Sequence, residues 1–154
     1  CGLVVFAHPS VLNEKVFVED SIGAPYSASC MAGICRYRPW YGPCNISVRL
    51  VFLGEIPDAV YFETRKAIGR TRIRGKWQDD YVRDDSALVY RGEEGIFIIT
   101  GCSHSGLCNI VQYAQAVCGQ QRVLVIIGGF HRFEADERLV RTIDYLKCCG
   151  AEQI

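Results

Sequence analysis

The chain has 154 residues, of which 49% are hydrophobic, and this length and composition are typical of one globular domain spanning residues 1–154. Lys plus Arg and Asp plus Glu number 17 each, so no net charge attracts nucleic acid or an anionic membrane surface. No apolar run approaches the roughly 20 residues that cross a bilayer, and the first residues lack the basic region and cleavage site of a signal peptide, so we expect a soluble cytoplasmic protein.

The first half of the chain predicts few clear elements. Leu3–Ala7 is a short apolar run that ends at His8, which indicates a strand followed by a turn. Because the chain starts at Cys1 and enters this strand at once, we expect a fragment whose front part is missing. Residues 10–47 lack periodicity and predict a loop with one short helix, whereas Val48–Leu53 alternates as a strand does.

The nine cysteines indicate reduced thiols, because their number is odd and the chain is long enough to fold without disulfides. No two of them have the Cys-x-x-Cys spacing of a zinc knuckle. The segment with Cys30, Cys35 and Cys44 offers three thiols but no evident fourth ligand. A structural zinc there is therefore the weaker interpretation.

Residues 65–80 form a basic segment, which we interpret as a solvated surface loop. The alternative is a contact for a phosphate or carboxylate group of a substrate. The cations in question are Arg65, Lys66, Arg70, Arg72, Arg74 and Lys76.

The second half of the chain has clear periodicity. It predicts a hairpin with a buried second strand, an amphipathic helix that ends at Gly119, another apolar strand, and a last helix that ends near Gly150. Fully apolar strands that alternate with amphipathic helices indicate parallel strands covered by helices, as in the α/β class. The segments are Ala87–Tyr90, Ile96–Thr100, Leu107–Val117, Val123–Ile127 and Leu139–Leu146.

His104 and His131 each follow one of the two apolar strands by four residues. Loops that leave parallel strands emerge at the same edge of the sheet, so we expect the two histidines to share that edge. Imidazole is the commonest metal ligand near neutral pH, which favours a metal site. Two turn histidines that form only surface hydrogen bonds are the alternative, and the spacing leaves both interpretations open.

Several ordered motifs resemble those of a known family. They are AHP at 7–9, GEIP at 54–57, FE at 62–63, DDSAL at 84–88, TGCSHSGLCNIV at 100–111 and IGGFH at 127–131. This set resembles the metallo-β-lactamase-fold hydrolases of the dihydropterin-phosphate synthase-like subgroup, and it covers most of the chain.

The resemblance implies an αβ/βα sandwich, of which this chain would be an incomplete portion with strand–helix–strand–helix at its C-terminal end. It also implies a divalent metal site at one sheet edge, with zinc favoured and iron or manganese as alternatives. His104 would be a metal ligand, and His131 a ligand or a substrate contact. Asp84 and Asp85 match the family pattern and are expected to bind substrate, with turn capping as the alternative.

The chain also departs from the family pattern. The histidine-rich motif His-x-His-x-Asp-His is absent, since the histidines are His8, His104 and His131, and His8 occupies a turn position that is not usually a ligand. A further histidine segment after the last helix is absent too, and Asp58 replaces a usual arginine. The sequence identifies no catalytic residue, and we expect this chain alone to be inactive.

Two functions follow. The first is part of a metal-dependent hydrolase that uses a metal-bound water on a small-molecule substrate. The alternative is a catalytically inactive partial domain that acts as an interaction module. An incomplete sandwich exposes an apolar face, so we also expect a homodimer or an association with the missing segment.

Overall fold

The structure is a computed structural model, and it describes residues 2–131 and 135–154. These residues form two compact units. The amino-terminal unit comprises the residues up to Tyr41 together with Lys66–Asp84, and the carboxy-terminal unit comprises Gly42–Arg65 and Asp85–Ile154. Within the described ranges, no helix combines the length and apolar character needed to cross a membrane.

The elements follow one another as eleven strands and three helices within the described residues. They are β1 (Val4–Ala7), β2 (Lys15–Phe17), β3 (Asp20–Ser21), α1 (Ala28–Ile34), β4 (Arg36–Pro39), β5 (Cys44–Asn45), β6 (Leu50–Phe52), β7 (Arg70–Ile73), β8 (Lys76–Asp79), β9 (Ala87–Arg91), β10 (Ile96–Thr100), α2 (Leu107–Cys118), β11 (Val123–Ile127) and α3 (Glu137–Cys148). A 3-10 turn spans Pro9–Leu12.

The carboxy-terminal unit is built on a five-stranded sheet in the order β11-β10-β9-β6-β5. Strands β10 and β11 are parallel, with Ile98 opposite Ile126, and helix α2 connects them. The other neighbouring pairs are antiparallel, including the predicted hairpin of β9 and β10. The structure therefore confirms the predicted order of strand, helix, strand and helix.

One face of this sheet forms the core. In β10, Ile96 and Ile98 are fully buried, whereas Ile99 is 46% exposed. They pack in one cluster with side chains of α2 such as Ile110 and Val111. The prediction of a buried second strand therefore holds for one face of β10, whereas Ile99 on the other face is exposed. An unbroken apolar run does not require that both faces be covered.

Each of the two long helices has a capping residue at one end. Helix α2 ends at Gly119, whose φ of 65° is the left-handed conformation that a helix C-cap favours. Helix α3 begins after Asp136, whose carboxylate accepts a hydrogen bond from the amide of Leu139 at 2.8 Å. The predicted end of the first helix and the predicted position of the second are confirmed.

The amino-terminal unit contains more strands than the sequence indicated. Strand β1 pairs in parallel with β4, and a second sheet has the order β3-β2-β7-β8. The predicted helix within residues 10–47 is present as α1, but the predicted loop around it is partly β-structure. The basic segment is the hairpin of β7 and β8 and not a loop, and its turn uses Arg74 and Gly75 at φ of 50° and 80°.

Candidate functional site

The two turns that follow the parallel strands β10 and β11 bring His104 and His131 together. Their ring centroids are 4.3 Å apart, and the ring planes are tilted by 55°. The expectation that both histidines share one sheet edge is met in the carboxy-terminal unit. This geometry leaves their role as metal ligands a prediction.

Hydrogen bonds join the two histidine-bearing turns directly. The amide of Gly129 donates to the carbonyl oxygen of Gly101 at 2.6 Å, and the hydroxyl of Ser103 donates to the carbonyl oxygen of Gly129 at 2.7 Å. Gly128 has a φ of 156°, and a Cβ atom there would lie 2.4 Å from the carbonyl oxygen of Thr100. Only glycine allows this close approach of the two turns.

Asp85 fixes the residue that follows His104. Its Oδ2 atom accepts hydrogen bonds from the amide of Ser105 at 2.8 Å and from the hydroxyl of Ser105 at 2.6 Å. Ser105 is fully buried. The expected role of Asp85 in substrate binding remains a prediction, whereas the contact made in the structure is with this turn.

Asp84, the other expected substrate contact, belongs to the amino-terminal unit and lies in an ionic cluster. The ammonium group of Lys15 is 2.5 Å from Oδ1 of Asp84 and 3.1 Å from Oδ2 of Asp80. Lys15 and Asp80 are buried, with 7% and 5% exposure. The structure thus gives Asp84 a stabilising partner, and a role in substrate binding remains a prediction for it as well.

The side chain of Glu63, which is distant in sequence, caps the N-terminus of helix α2. Gly106 precedes this helix and offers no capping side chain, and Oε2 of Glu63 accepts hydrogen bonds from the amides of Cys108 at 2.8 Å and Asn109 at 3.1 Å. A carboxylate at a helix N-terminus is favoured by the helix dipole. A Cβ atom at position 106 would lie 2.3 Å from Oε2 of Glu63, so this position also requires glycine.

Asn109 connects the loop before Glu63 to the turn with His104. Its Oδ1 atom accepts hydrogen bonds from the amides of Ala59 at 2.9 Å and Val60 at 2.7 Å, while Nδ2 donates to the carbonyl oxygen of Ser105 at 2.8 Å. Neither Glu63 nor Asn109 was predicted from the sequence to be a site residue. The signal that could have found them is a helix preceded by glycine, which needs a cap from elsewhere in the chain.

The remaining histidine has a local structural role. Nδ1 of His8 accepts a hydrogen bond from the amide of Ser10 at 3.2 Å and so caps the 3-10 turn, as its predicted turn position implies. The hydroxyl of Tyr37 donates to the carbonyl oxygen of His8 at 3.0 Å. The ring also packs edge-on against Tyr41, with centroids 5.1 Å apart.

Two arginines of the basic segment bind acceptors elsewhere in the chain. Arg65 is buried, and its Nε atom donates to Asp58 at 2.7 Å while a terminal nitrogen donates to the carbonyl oxygen of Ile56. The interpretation of Arg65 as part of a solvated loop was therefore wrong, since this guanidinium fixes the loop after β6. Arg72 pairs with Glu14 at 3.1 Å on the surface of the other unit.

The cysteines flanking His104 differ in their environment. Cys102 is exposed, whereas Cys108 is fully buried at the start of α2. Burial, with a smaller contribution from the charge of Glu63, raises the pKa of the Cys108 thiol far above its usual value of 9.0. A thiol that resists ionisation is a poor metal ligand and a poor nucleophile. The eight cysteines within the described residues are all free thiols.

Imidazole is a common ligand of divalent metals such as zinc, and the neighbouring rings of His104 and His131 would supply two ligands. A hydrolytic zinc site takes three protein ligands and an open position. Within residues 2–131 and 135–154, no group of three or more His, Cys, Asp or Glu side chains could hold a metal ion. The described residues would therefore supply at most two histidine ligands, and a complete site would need at least one more.

The sequence is similar to two curated proteins of Methanocaldococcus jannaschii. One, named 7,8-dihydropterin-6-methyl-4-(β-D-ribofuranosyl)-aminobenzene-5′-phosphate synthase, is 36% identical over 160 residues, which cover 97% of this chain and 54% of the relative. The other, an uncharacterised protein, is 39% identical over 106 residues, covering 68% of this chain and 38% of the relative. The chain thus spans about half the length of the first relative. No protein-family model matches it.

Among solved structures, the fold matches a crystal structure described as a metal-dependent hydrolase of the β-lactamase superfamily. The TM-score is 0.85 at 22% sequence identity, and the match covers 97% of this chain and 57% of the other. At this identity the likeness establishes the fold, and the curated relative adds the sequence similarity along nearly the whole chain. The chain therefore has the metallo-β-lactamase fold, and its sequence is similar to that of the dihydropterin-phosphate synthase relative along nearly its whole length.

Proposed function

We propose that this chain is part of a metal-dependent hydrolase, in which His104 and His131 contribute to a divalent metal site at the edge of the carboxy-terminal sheet. The observation that carries the proposal is the 4.3 Å separation of the two imidazole rings, in turns joined by hydrogen bonds between Gly101, Ser103 and Gly129. Zinc is the metal we favour, with iron or manganese as alternatives.

In this proposal the chain's own residues orient two ligands, and further ligands come from residues outside the described set. His104 and His131 present imidazole nitrogens, and the two turns hold the rings at the same edge because β10 and β11 are parallel neighbours. A bound divalent metal would supply Lewis acidity, which makes water a nucleophile near neutral pH. We further propose a small-molecule substrate, a cytoplasmic location and residues 1–154 as one partial domain.

A second candidate activity comes from the curated relative. Its name describes a synthase that makes a phosphate-bearing dihydropterin compound, and it is 36% identical to this chain. The solved structure of the same fold is described instead as a hydrolase. An assay that supplies the dihydropterin and aminobenzene halves of that compound, beside a panel of phosphate and carboxylate esters, distinguishes condensation from hydrolysis.

The metal site is tested by measuring the metal content of the protein at its natural length with inductively coupled plasma mass spectrometry. We expect His104→Ala and His131→Ala each to lower the bound zinc by more than about tenfold, because each removes a direct ligand. His8→Asn is the matched control. It removes a histidine but keeps a side-chain acceptor for the amide of Ser10, and it should retain the metal.

Unchanged zinc in both alanine variants would contradict the proposal. A stable protein without bound metal, even at its natural length, would favour the alternative of an inactive partial domain that acts as an interaction module. In that case the partner would be sought as a second copy of this chain or as a segment that covers the exposed side of the sheet, where Ile99 and Ile127 are 46% and 60% exposed.

A further inference from the structure

We propose that Asp85 is a positioning residue for His104 and acts through Ser105. The inference rests on the proposed function, because it concerns how one of the two proposed ligands is held. It assigns to Asp85 a role other than substrate binding, and it follows from the contacts of the turn between β10 and α2.

His104 lies between two serines, and each serine is fixed to a different part of the unit. On one side the hydroxyl of Ser103 donates to the carbonyl oxygen of Gly129, in the turn that carries His131. On the other side both the amide and the hydroxyl of Ser105 donate to one oxygen of Asp85. The backbone of the turn is thus held immediately before and immediately after the histidine.

The contact with Asp85 is the stronger of the two restraints in the number of hydrogen bonds and in the charge of the acceptor. Two donors converge on one carboxylate oxygen at 2.6 and 2.8 Å, and hydrogen bonds to an ionised acceptor are shorter and stronger than neutral ones. Ser105 is fully buried, so water does not compete for its donors. Without the carboxylate, a buried amide and a buried hydroxyl would lose their partner.

The carboxylate reaches the turn from the segment that leads into β9. Asp85 lies two residues before β9, and the antiparallel register places Ala87 opposite Thr100, the last residue of β10. The restraint on the turn therefore comes from the sheet. The turn needs such a restraint because Ser103 adopts a φ of 55°, which a residue other than glycine rarely adopts.

The experiment measures cobalt(II) binding and the visible absorption of bound cobalt in the protein at its natural length. We expect Asp85→Ala to weaken cobalt affinity by about tenfold to a hundredfold, the range seen when groups that orient metal ligands are removed. The absorption bands should also change in position or intensity, since they report the arrangement of the ligands. Asp85→Asn keeps an oxygen that can accept from Ser105, so it should recover most of both properties.

Val51→Ala is the control for a loss of stability alone. Val51 is buried in β6, where it lies opposite Val89 of β9. Its truncation should lower stability and leave the cobalt affinity and spectrum unchanged. A purely structural role for Asp85 predicts that Asp85→Ala behaves like Val51→Ala.

The outcomes separate this inference from the proposed function. If His104→Ala abolishes cobalt binding but Asp85→Ala keeps the affinity and spectrum of the unaltered protein, the positioning role is wrong and the metal site stands. If the unaltered protein binds no cobalt, or if His104→Ala binds it equally well, the proposed metal site is wrong. The positioning role then fails with it.

Discussion

The two units of the chain bury different kinds of side chain. The carboxy-terminal unit contains an apolar cluster that extends from Val51 in β6 to Leu146 in α3. In the amino-terminal unit, Cys35 is the one buried hydrophobic side chain among the described residues, and its other buried groups include Lys15 and Asp80. One unit therefore has a mainly apolar core, whereas the other buries an ionic cluster centred on Lys15, and this difference makes separate predictions for each.

The largest effect is expected in the amino-terminal unit. Lys15→Ala should lower its free energy of unfolding by about 3–5 kcal/mol, because removal of one member of a buried ion pair leaves the carboxylates of Asp80 and Asp84 without their cation. Both tryptophans, Trp40 and Trp77, belong to this unit, so their fluorescence during urea unfolding measures it selectively.

The control neutralises the remaining charges. In Lys15→Met combined with Asp80→Asn and Asp84→Asn, no buried charge lacks a partner, and much of the loss should be recovered. A fluorescence transition that Lys15→Ala leaves unchanged would show that the cluster contributes little, and the contrast between the units would then lose its basis.

A somewhat smaller effect is expected in the carboxy-terminal unit. Ile110→Ala should lower its stability by about 2–5 kcal/mol, because this side chain of α2 is fully buried and its truncation leaves a cavity. Helices α2 and α3 both belong to this unit, so far-ultraviolet circular dichroism reports mainly on it. Val140→Ala on α3 is the control, since Val140 is 57% exposed and its truncation should cost less than about 0.5 kcal/mol.

Both probes applied to both variants test whether the two units unfold separately. We expect Lys15→Ala to shift the fluorescence transition more than the dichroism transition, and Ile110→Ala to do the reverse. Equal shifts of both transitions in both variants would mean that the two units unfold as one cooperative body.

The smallest predicted effect concerns pH. Burial raises the pKa of the Cys108 thiol in the folded chain, so above pH 9.0 the thiolate forms more readily in the unfolded chain. Stability from this group is fully present below pH 9.0 and falls as the pH rises, by about 1 kcal/mol between pH 8 and pH 10. The slope of stability against pH in this range should be smaller in Cys108→Ala, and an equal slope would argue against the shift.

Sequence reasoning located the elements of the carboxy-terminal unit because their apolar residues repeat with the period of a strand or a helix. The pairing of His104 with His131 followed from one topological rule about parallel strands. The short strands of the other unit were missed because β3, β4 and β8 expose most of their residues, which leaves no alternation in the sequence.

The contacts around the candidate site were missed for a different reason. Asp85 and Ser105 are 20 residues apart, and Glu63 and Cys108 are 45 apart. A carboxylate in a sequence does not indicate which distant amide it will meet, so these partners could be found only in the folded chain. These residues lie within the motifs that resemble the family pattern, but a motif does not show which partner each side chain contacts.

The capping of α2 by Glu63 has a consequence for the order of folding. Gly106 offers no local cap, so the first turn of this helix is completed only when a carboxylate 45 residues earlier in the chain has docked against it. Closing a loop of that length costs chain entropy before the contact stabilises anything, and non-local contacts of this kind slow folding. The start of α2, and with it the turn that carries His104, should therefore be among the last parts of the carboxy-terminal unit to become ordered.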